Sequence, residues 1–312
     1  MTTGIKGVRI RRAAAVAAIT GALVAGGALA APAQAATAPS VSAKGAFLLN
    51  SATGATLYSK YADYKRPMAS TTKIMTARVV LSTPDLNLDR KITIKQAYRD
   101  YVAAKGASTA DLRTGDKVTV RQLLHAMLLP SGCDAAMALA DTFGSGTTIS
   151  ARTKSFISKM NTKAADLGLT NTHFDTFDGI STQNTNYTTP RDLAKLTRSA
   201  MKYSTFAGIV KKQKTVQYAT TSTGGTRTYT WYNTNKLLGS YSGAIGVKTG
   251  TNTPAGPCLV FAATRNDKTV IGVLLNDQYR YTDAAKLLDY AFGTSSASTM
   301  QLRTLPAGAQ RD

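Results

Sequence analysis

Strand-forming runs stand at the two ends of the folding part of this chain, and a long stretch of helical periodicity separates them. Ala46 to Asn50 and Thr56 to Lys60 flank the turn-rich Ser51-Ala52-Thr53-Gly54. Far downstream, Ala244 to Val247, Leu259 to Thr264 and Thr269 to Leu275 are again β-rich, with Asn266-Asp267 suited to the turn between the last two. Such short runs bury their apolar faces by pairing, so the pattern predicts one antiparallel five-stranded sheet assembled from both ends of the chain. The fold class is then α/β of the α+β type. Residues 36–65 and about 235–293 make a sheet lobe, and about 66–234 an inserted, mainly helical lobe. A functional site is expected where the two meet.

Helix signals fill the insertion. Ser70 opens a segment with Ile74, Ala77 and Leu81 at helical spacing. Thr119-Val120-Arg121-Gln122 has the form of a capping box ahead of Leu123, Leu124, Met127 and Leu128, and Pro130 ends that helix, leaving Ser131 on a turn. Asp134 to Phe143, with Gly144 past its end, and Ser155 to Leu167, closed by Gly168, read as two more helices. Thr189-Pro190-Arg191-Asp192 begins another, with proline at the first helical position. A last helix runs from Thr282 to Phe292, and the Ser-, Thr-, Ala- and Gly-rich residues 294–312 read as a flexible tail.

The first 35 residues read as a signal peptide. Lys6, Arg9, Arg11 and Arg12 form a positive head, Ala13 to Ala31 an apolar run, and Ala33-Gln34-Ala35 a small-x-small cleavage site. A membrane span is the competing reading of the run, which alanine and glycine make weakly hydrophobic. Arg11-Arg12 is a poor match to a twin-arginine signal. Cleavage after Ala35 leaves 277 of the 312 residues, enough for one core or two lobes sharing a site. Taking the leader's four positive charges from the formal +21 leaves +17. That charge favours anionic partners. For an exported protein these are anionic cell-wall polymers rather than nucleic acid, since no nucleic-acid motif is present and the cations are scattered. The alternative is a solvated basic surface.

Only two cysteines occur, Cys133 and Cys258, and two free thiols are expected rather than a disulfide. No Cys/His cluster has metal-ligand spacing, so no metal or other cofactor is expected. All 17 acidic residues are aspartate. Mechanisms that need a glutamate base, including the His-Glu-x-x-His zinc proteases, are therefore closed to this chain.

Three polar cassettes stand in one order: Ser70-Thr71-Thr72-Lys73, Ser131-Gly132-Cys133 and Lys248-Thr249-Gly250. A serine hydroxyl is a poor nucleophile until a base takes its proton, and Lys73 falls on the same helix face as Ser70. A lysine serves as that base only where burial or a nearby cation favours its neutral form. The start of a helix also favours developing negative charge, and the Ser70 amide can donate to an oxyanion. Ser131 could relay a proton to a leaving nitrogen. Lys248 would hold Ser131, Gly250 would let substrate lie close to the backbone, and the Thr251 amide would be the second oxyanion donor. Each cassette alone has a plainer reading: a helix cap with a surface lysine, a serine N-cap, a strand-end turn. Ser199-Ala200-Met201-Lys202 repeats the first spacing, but only Ser70 precedes both other cassettes.

Assembled, these residues resemble the low-molecular-mass penicillin-binding proteins, and among them the secreted single-domain serine DD-peptidases of Gram-positive bacteria. The resemblance spans roughly Val41 to Phe292 and rests on Met68-Ala69-Ser70-Thr71-Thr72-Lys73-Ile74-Met75-Thr76-Ala77, Leu129-Pro130-Ser131-Gly132-Cys133-Asp134-Ala135-Ala136 and Gly243-Ala244-Ile245-Gly246-Val247-Lys248-Thr249-Gly250, with Thr172-His173-Phe174 and Asp178-Gly179 also fitting. It implies the penicillin-binding, β-lactamase-like fold. It also implies Ser70 attack between the terminal D-alanines of a peptidoglycan stem peptide, transfer of the acyl group to water or an amine, and acylation of the same serine by β-lactam antibiotics. Ser131 and Lys248 enter as catalytic partners, with Thr249 near the substrate carboxylate. The family residue at position 133 is usually asparagine. Cysteine occurs there in the Streptomyces DD-transpeptidase branch, and a thiol holds a substrate backbone less well.

Competing readings are a serine β-lactamase, a cysteine hydrolase using Cys133 with His125 or His173, and a non-catalytic wall-binding protein. Absence of glutamate removes the base with which class A β-lactamases activate water.

Overall fold

The computed structural model describes Met1 and residues 37–310; the leader reading lies outside the described residues. From Ala36 onward the chain forms one compact unit. Its strands are β1 (Gly45–Asn50), β2 (Thr56–Lys60), β3 (Arg66–Pro67), β4 (Lys91–Thr93), β5 (Lys117–Thr119), β6 (Tyr187–Thr188), β7 (Lys214–Thr220), β8 (Thr226–Tyr232), β9 (Ala244–Gly250), β10 (Cys258–Arg265) and β11 (Lys268–Leu275). Its helices are α1 (Lys73–Leu81), α2 (Gln96–Lys105), α3 (Val120–Leu128), α4 (Cys133–Phe143), α5 (Ile149–Asp166), α6 (Pro190–Met201), α7 (Ser204–Val210) and α8 (Arg280–Phe292).

The five-stranded sheet has the order β2-β1-β11-β10-β9, with every neighbour antiparallel, so the two ends of the chain pair as expected. Both faces are covered. Ala46, Leu48, Leu259, Phe261, Val270 and Leu274 share one core cluster with Ala284 and Leu288 of α8. The alternate residues Phe47, Leu49, Val260, Ala262, Ile271 and Val273 join the larger cluster with Ile74 of α1 and Leu193 of α6. Burial on both faces is why these strands read as unbroken apolar runs rather than alternating ones. Asn266 and Asp267 take left-handed φ values of 46° and 59°, the geometry of a tight hairpin.

Local signals placed several helices correctly. Thr119 and Gln122 make both bonds of the capping box, and Thr189 caps α6 by accepting from the Asp192 amide at 3.1 Å. Three boundaries differ. Ser70 lies in a 3-10 turn, Ala69–Thr72, that leads into α1. Helix α5 begins six residues before the expected Ser155, because the Thr148 hydroxyl caps it on the Ala151 amide. Helix α8 begins at Arg280 rather than Thr282.

The insertion is not only helical. A second sheet, β4-β5-β7-β8, lies within it, its β7–β8 hairpin paired from Lys214↔Tyr232 to Thr220↔Thr226. The aromatic–threonine alternation of Thr226–Tyr232 after Gly224-Gly225 is the signal that marks this hairpin.

The tail also departs from the expectation of a loose segment. Leu305 is only 4% exposed, and the Arg303 guanidinium donates to the carbonyls of Asn233 and Asn235 at 2.8 and 3.1 Å. Burying one leucine and satisfying two carbonyls offsets the ordering cost that composition alone suggested.

Candidate active site

The turn Ala69–Thr72 presents Ser70 at the start of α1, one turn before Lys73. Lys73 is fully buried, and its Nζ donates to Ser70 Oγ at 2.9 Å, the Asp178 carbonyl at 3.0 Å and Cys133 Sγ at 3.3 Å. These bonds engage all three ammonium protons. The first and second cassettes thus meet at one nitrogen.

The second cassette sits between α3 and α4. Ser131 is 1% exposed with a left-handed φ of 67°, so the turn after Pro130 is real and tight. Ser108 braces it by donating to the Ser131 carbonyl at 2.7 Å and accepting from the Cys133 amide through its own carbonyl at 2.8 Å. Among the described residues the Ser131 hydroxyl has no hydrogen-bond partner. The expected bond from Lys248 to Ser131 is therefore not formed. Instead Lys248 Nζ donates to the Thr249 carbonyl at 2.9 Å, and Ser131 is committed through its carbonyl to Ser108.

The third cassette forms the end of β9. A Cβ on Gly250 would stand 2.8 Å from the Ser70 amide nitrogen and 3.0 Å from that of Thr71, so only glycine lets this strand press against the turn. Gly179 does the same from the other side, since a Cβ there would stand 2.0 Å from the Ala69 carbonyl oxygen. The Thr249 hydroxyl is buried against that of Thr234. It is not part of the open cleft.

That cleft has a volume of about 390 Å³, and Ser70, Ser108, Gly179, Thr251, Asn252 and Gln310 are among its lining residues. Ser70 and Thr251 therefore face it. Lys73, Ser131, Cys133, Lys248 and Thr249 lie buried beneath. A larger hollow of about 630 Å³ on the far side of α8 holds none of these residues, and volume alone does not locate the chemistry.

Two contributors, Arg280 and Asn252, were not legible, and a third, Asp178, was legible only as part of the Asp178-Gly179 pair that fits the family resemblance. Arg280 opens α8, and its Nη1 donates to the carbonyls of Gly250 and Cys258 and to Thr251 Oγ1 at 3.2, 3.1 and 3.0 Å. It brings a guanidinium to the end of the Lys-Thr-Gly strand. Asp178 fixes its loop by accepting from Tyr101 at 2.8 Å, Thr176 at 2.7 Å and the Ile180 amide at 2.9 Å, while its carbonyl holds Lys73. Burial, and then the adjacent Asp178 carboxylate, push the Tyr101 hydroxyl far above its ordinary range, so it stays a donor. Asn252 ties the strand end to the Gly179 carbonyl at 3.1 Å. All three act through the tertiary meeting of distant segments, and Arg280 and Asn252 carry no local spacing signal.

A cysteine nucleophile is not supported. Among the described residues Cys133 and Cys258 are buried and form no disulfide. Burial, only partly opposed by the Lys73 charge, pushes the Cys133 thiol up to about 12, so it remains a thiol. His173 Nδ1 bonds the Thr185 carbonyl at 2.9 Å and its ring stacks on Tyr187. Burial, with Lys212 and Arg121 nearby, holds His125 down at about 4.

Comparison with known proteins agrees with this geometry. The family model described as D-alanyl-D-alanine carboxypeptidase matches residues 32–279. The chain is 57% identical over 289 residues to the D-alanyl-D-alanine carboxypeptidase of Streptomyces sp. strain K15, covering 91% of this chain and 99% of that one. It is 32% identical to D-alanyl-D-alanine carboxypeptidase DacF of Bacillus subtilis, covering 80% of this chain and 62% of that longer protein. The crystal structure of the Streptomyces K15 DD-transpeptidase superposes with a TM-score of 0.81 at 58% identity, over 82% of this chain and 99% of the other. Cassettes that meet around one buried lysine, a family model spanning most of the chain and a shared fold lead to one assignment: the chain belongs to the D-alanyl-D-alanine carboxypeptidase family.

Proposed function

We propose that this chain is a serine D-alanyl-D-alanine carboxypeptidase/transpeptidase in which Ser70 carries the acyl group. The single observation behind this reading is the 2.9 Å hydrogen bond between Lys73 Nζ and Ser70 Oγ, made at a helix start against the backbone of Gly250. The Asp178 carbonyl and Cys133 sulfur occupy two of the lysine's three directions. In the neutral amine the lone pair then points along the third, toward Ser70, and Lys73 can take its proton.

Ser70 Oγ attacks the carbonyl carbon between the two terminal D-alanines of a stem peptide. The oxyanion is received by the Ser70 amide and, across the Gly250 contact, by the Thr251 amide. The terminal D-alanine leaves as an amine with the proton passed on by Lys73 or by Ser131. Water or an acceptor amine then takes the acyl group, giving carboxypeptidase or transpeptidase turnover. Ser131 is suited to its step because its buried hydroxyl has no protein partner among the described residues and can bond a ligand without first breaking another bond. Lys248 and Arg280 place positive charge along the strand end where the substrate carboxylate lies, and Thr249 supports that strand through Thr234. β-Lactam antibiotics acylate the same serine.

The leader pattern supports export with cleavage near Ala35 and action outside the cytoplasm, and the +17 of the remainder supports association with anionic cell-wall polymers. Among the described residues no helix is long and apolar enough to cross a membrane.

Intact-mass analysis with benzylpenicillin tests the central step. One covalent adduct is expected on the wild type and none on Ser70→Ala. A wild type without an adduct, or an adduct retained by the variant, overturns the reading.

A further inference from the structure

The C-terminal segment reaches the cleft. From its Arg303 anchor the chain buries Leu305, turns at Pro306–Ala309 through an amide-to-carbonyl bond of 3.2 Å, and comes back against the body of the protein. Residues 306–308 are exposed, whereas Ala309 and Gln310 are half-buried. Gln310 lines two hollows at once. One is the cleft of about 390 Å³ that holds Ser70, and the other is a groove of about 340 Å³ walled by Thr109, Pro130, Trp231 and Tyr232. Ser108 borders the first and its chain neighbour Thr109 the second, so the two hollows are neighbours and Gln310 borders both.

Two further facts tie the segment to the site. Arg303 grips the loop of Asn233 and Asn235, and Thr234 between them bonds Thr249 of the third cassette. The family match ends at residue 279, and the Streptomyces structure is covered to 99% while using 82% of this chain. The segment therefore lies beyond what the family model describes.

We propose that residues 303–310 are an autoinhibitory strap. Its tip, Ala309-Gln310, occupies the path of a long stem peptide between the Ser70 cleft and the Trp231 groove, and lifts when such a peptide docks. This role presupposes acyl transfer at Ser70. The backbone of the tip and the Gln310 amide offer donors and acceptors of the kind a peptide ligand presents, so strap and peptide compete for the same groove. A compact β-lactam needs only the inner cleft and escapes the competition.

The test compares the full chain with a variant ending after Leu305, which keeps both anchors. Acylation rates are measured with benzylpenicillin and with a diacyl tripeptide ending in D-Ala-D-Ala that carries a long N-terminal extension. Removal of residues 306–312 is expected to leave the benzylpenicillin rate within about twofold and to raise the long-peptide rate by about tenfold, as when a competent state goes from minor to dominant. Arg303→Ala, which frees the strap at its root, is expected to move in the same direction. An unchanged or lower long-peptide rate in the truncated protein overturns the strap. A reading independent of acylation comes from Ser70→Ala chains with and without 306–312, titrated with the same peptide and followed by fluorescence of Trp231, the single tryptophan. Tighter binding after truncation is expected, and equal or weaker binding overturns the proposal even if the acyl-enzyme reading itself fails.

Discussion

The two serine arms of the site are built in opposite ways. Around Ser70 every polar direction of the buried lysine is taken, by a hydroxyl, a carbonyl and a sulfur, and two glycines let backbone close in from either side. Around Ser131 the backbone is braced by Ser108, yet the hydroxyl itself is buried without a partner among the described residues. A saturated arm holds its geometry before any ligand arrives, which a nucleophile needs. In the unsaturated arm, a buried hydroxyl without a protein partner is instead open to a bond from water or a ligand, and leaving it unmade costs about 1–3 kcal/mol. The contrast is between a lysine whose donors are all engaged and a buried hydroxyl with no protein partner among the described residues.

Breaking the saturated arm has the largest expected effect. Lys73→Ala removes the ammonium bonded to Ser70 Oγ, the group proposed to take the serine proton, and the acylation rate by benzylpenicillin should fall by about 10³-fold. Stopped-flow or mass-resolved time courses check this, and a loss below tenfold would mean that another base serves Ser70. Next comes Gly250→Ala. The added Cβ meets backbone rather than a flexible side chain, so β9 or the Ser70 turn must shift. Acylation should drop by about 10²-fold with the circular dichroism spectrum retained, since small displacements of reacting groups carry penalties of that order.

The unsaturated arm gives an opposed pair of signs. Ser131→Ala should slow acylation by about tenfold to a hundredfold while raising the thermal midpoint by about 2–4 °C, because it deletes a buried hydroxyl that has no protein partner among the described residues. A lower midpoint would show that Ser131 is bonded in solution, and the contrast between the arms would collapse.

The smallest effect concerns stability alone. His125 lies on α3, the helix that leads to Ser131, and its folded value of about 4 is below the usual 6.5. A group lowered in this way binds protons more readily when unfolded. Its contribution is complete above pH 6.5 and is lost as the pH falls toward 4, by up to about 3 kcal/mol. Denaturant midpoints measured across that window should fall in the wild type and change much less in His125→Leu, with acylation at neutral pH unaltered.

Legibility in the sequence followed the range of the interactions. The capping box at Thr119, the proline start at Pro190 and the hairpin at Asn266-Asp267 are decided within four residues, and each was readable where it stands. The β10 and β11 runs were readable because burial on both faces leaves them continuously apolar. The β7–β8 hairpin was missed because its exposed face breaks the run into threonines and aromatics, and a helical reading of the region hid the alternation. At the site, Ser70 with Lys73 is a local spacing, whereas Arg280, Asp178 and Ser108 matter only because other parts of the chain arrive beside them.

By itself, then, the sequence determined the order of the chemical groups, the strand and helix segments that carry them and the family to which they point, because those depend on side-chain type and short-range backbone preference. Tertiary structure alone decided which groups touch. It turned Lys248 to the Thr249 carbonyl, left the Ser131 hydroxyl without a partner among the described residues and drew Gln310 to the lining of the cleft. The physical reason is that a hydrogen bond or a close backbone approach is settled to a few tenths of an ångström by packing summed over the whole fold, and no window of neighbouring residues contains that sum.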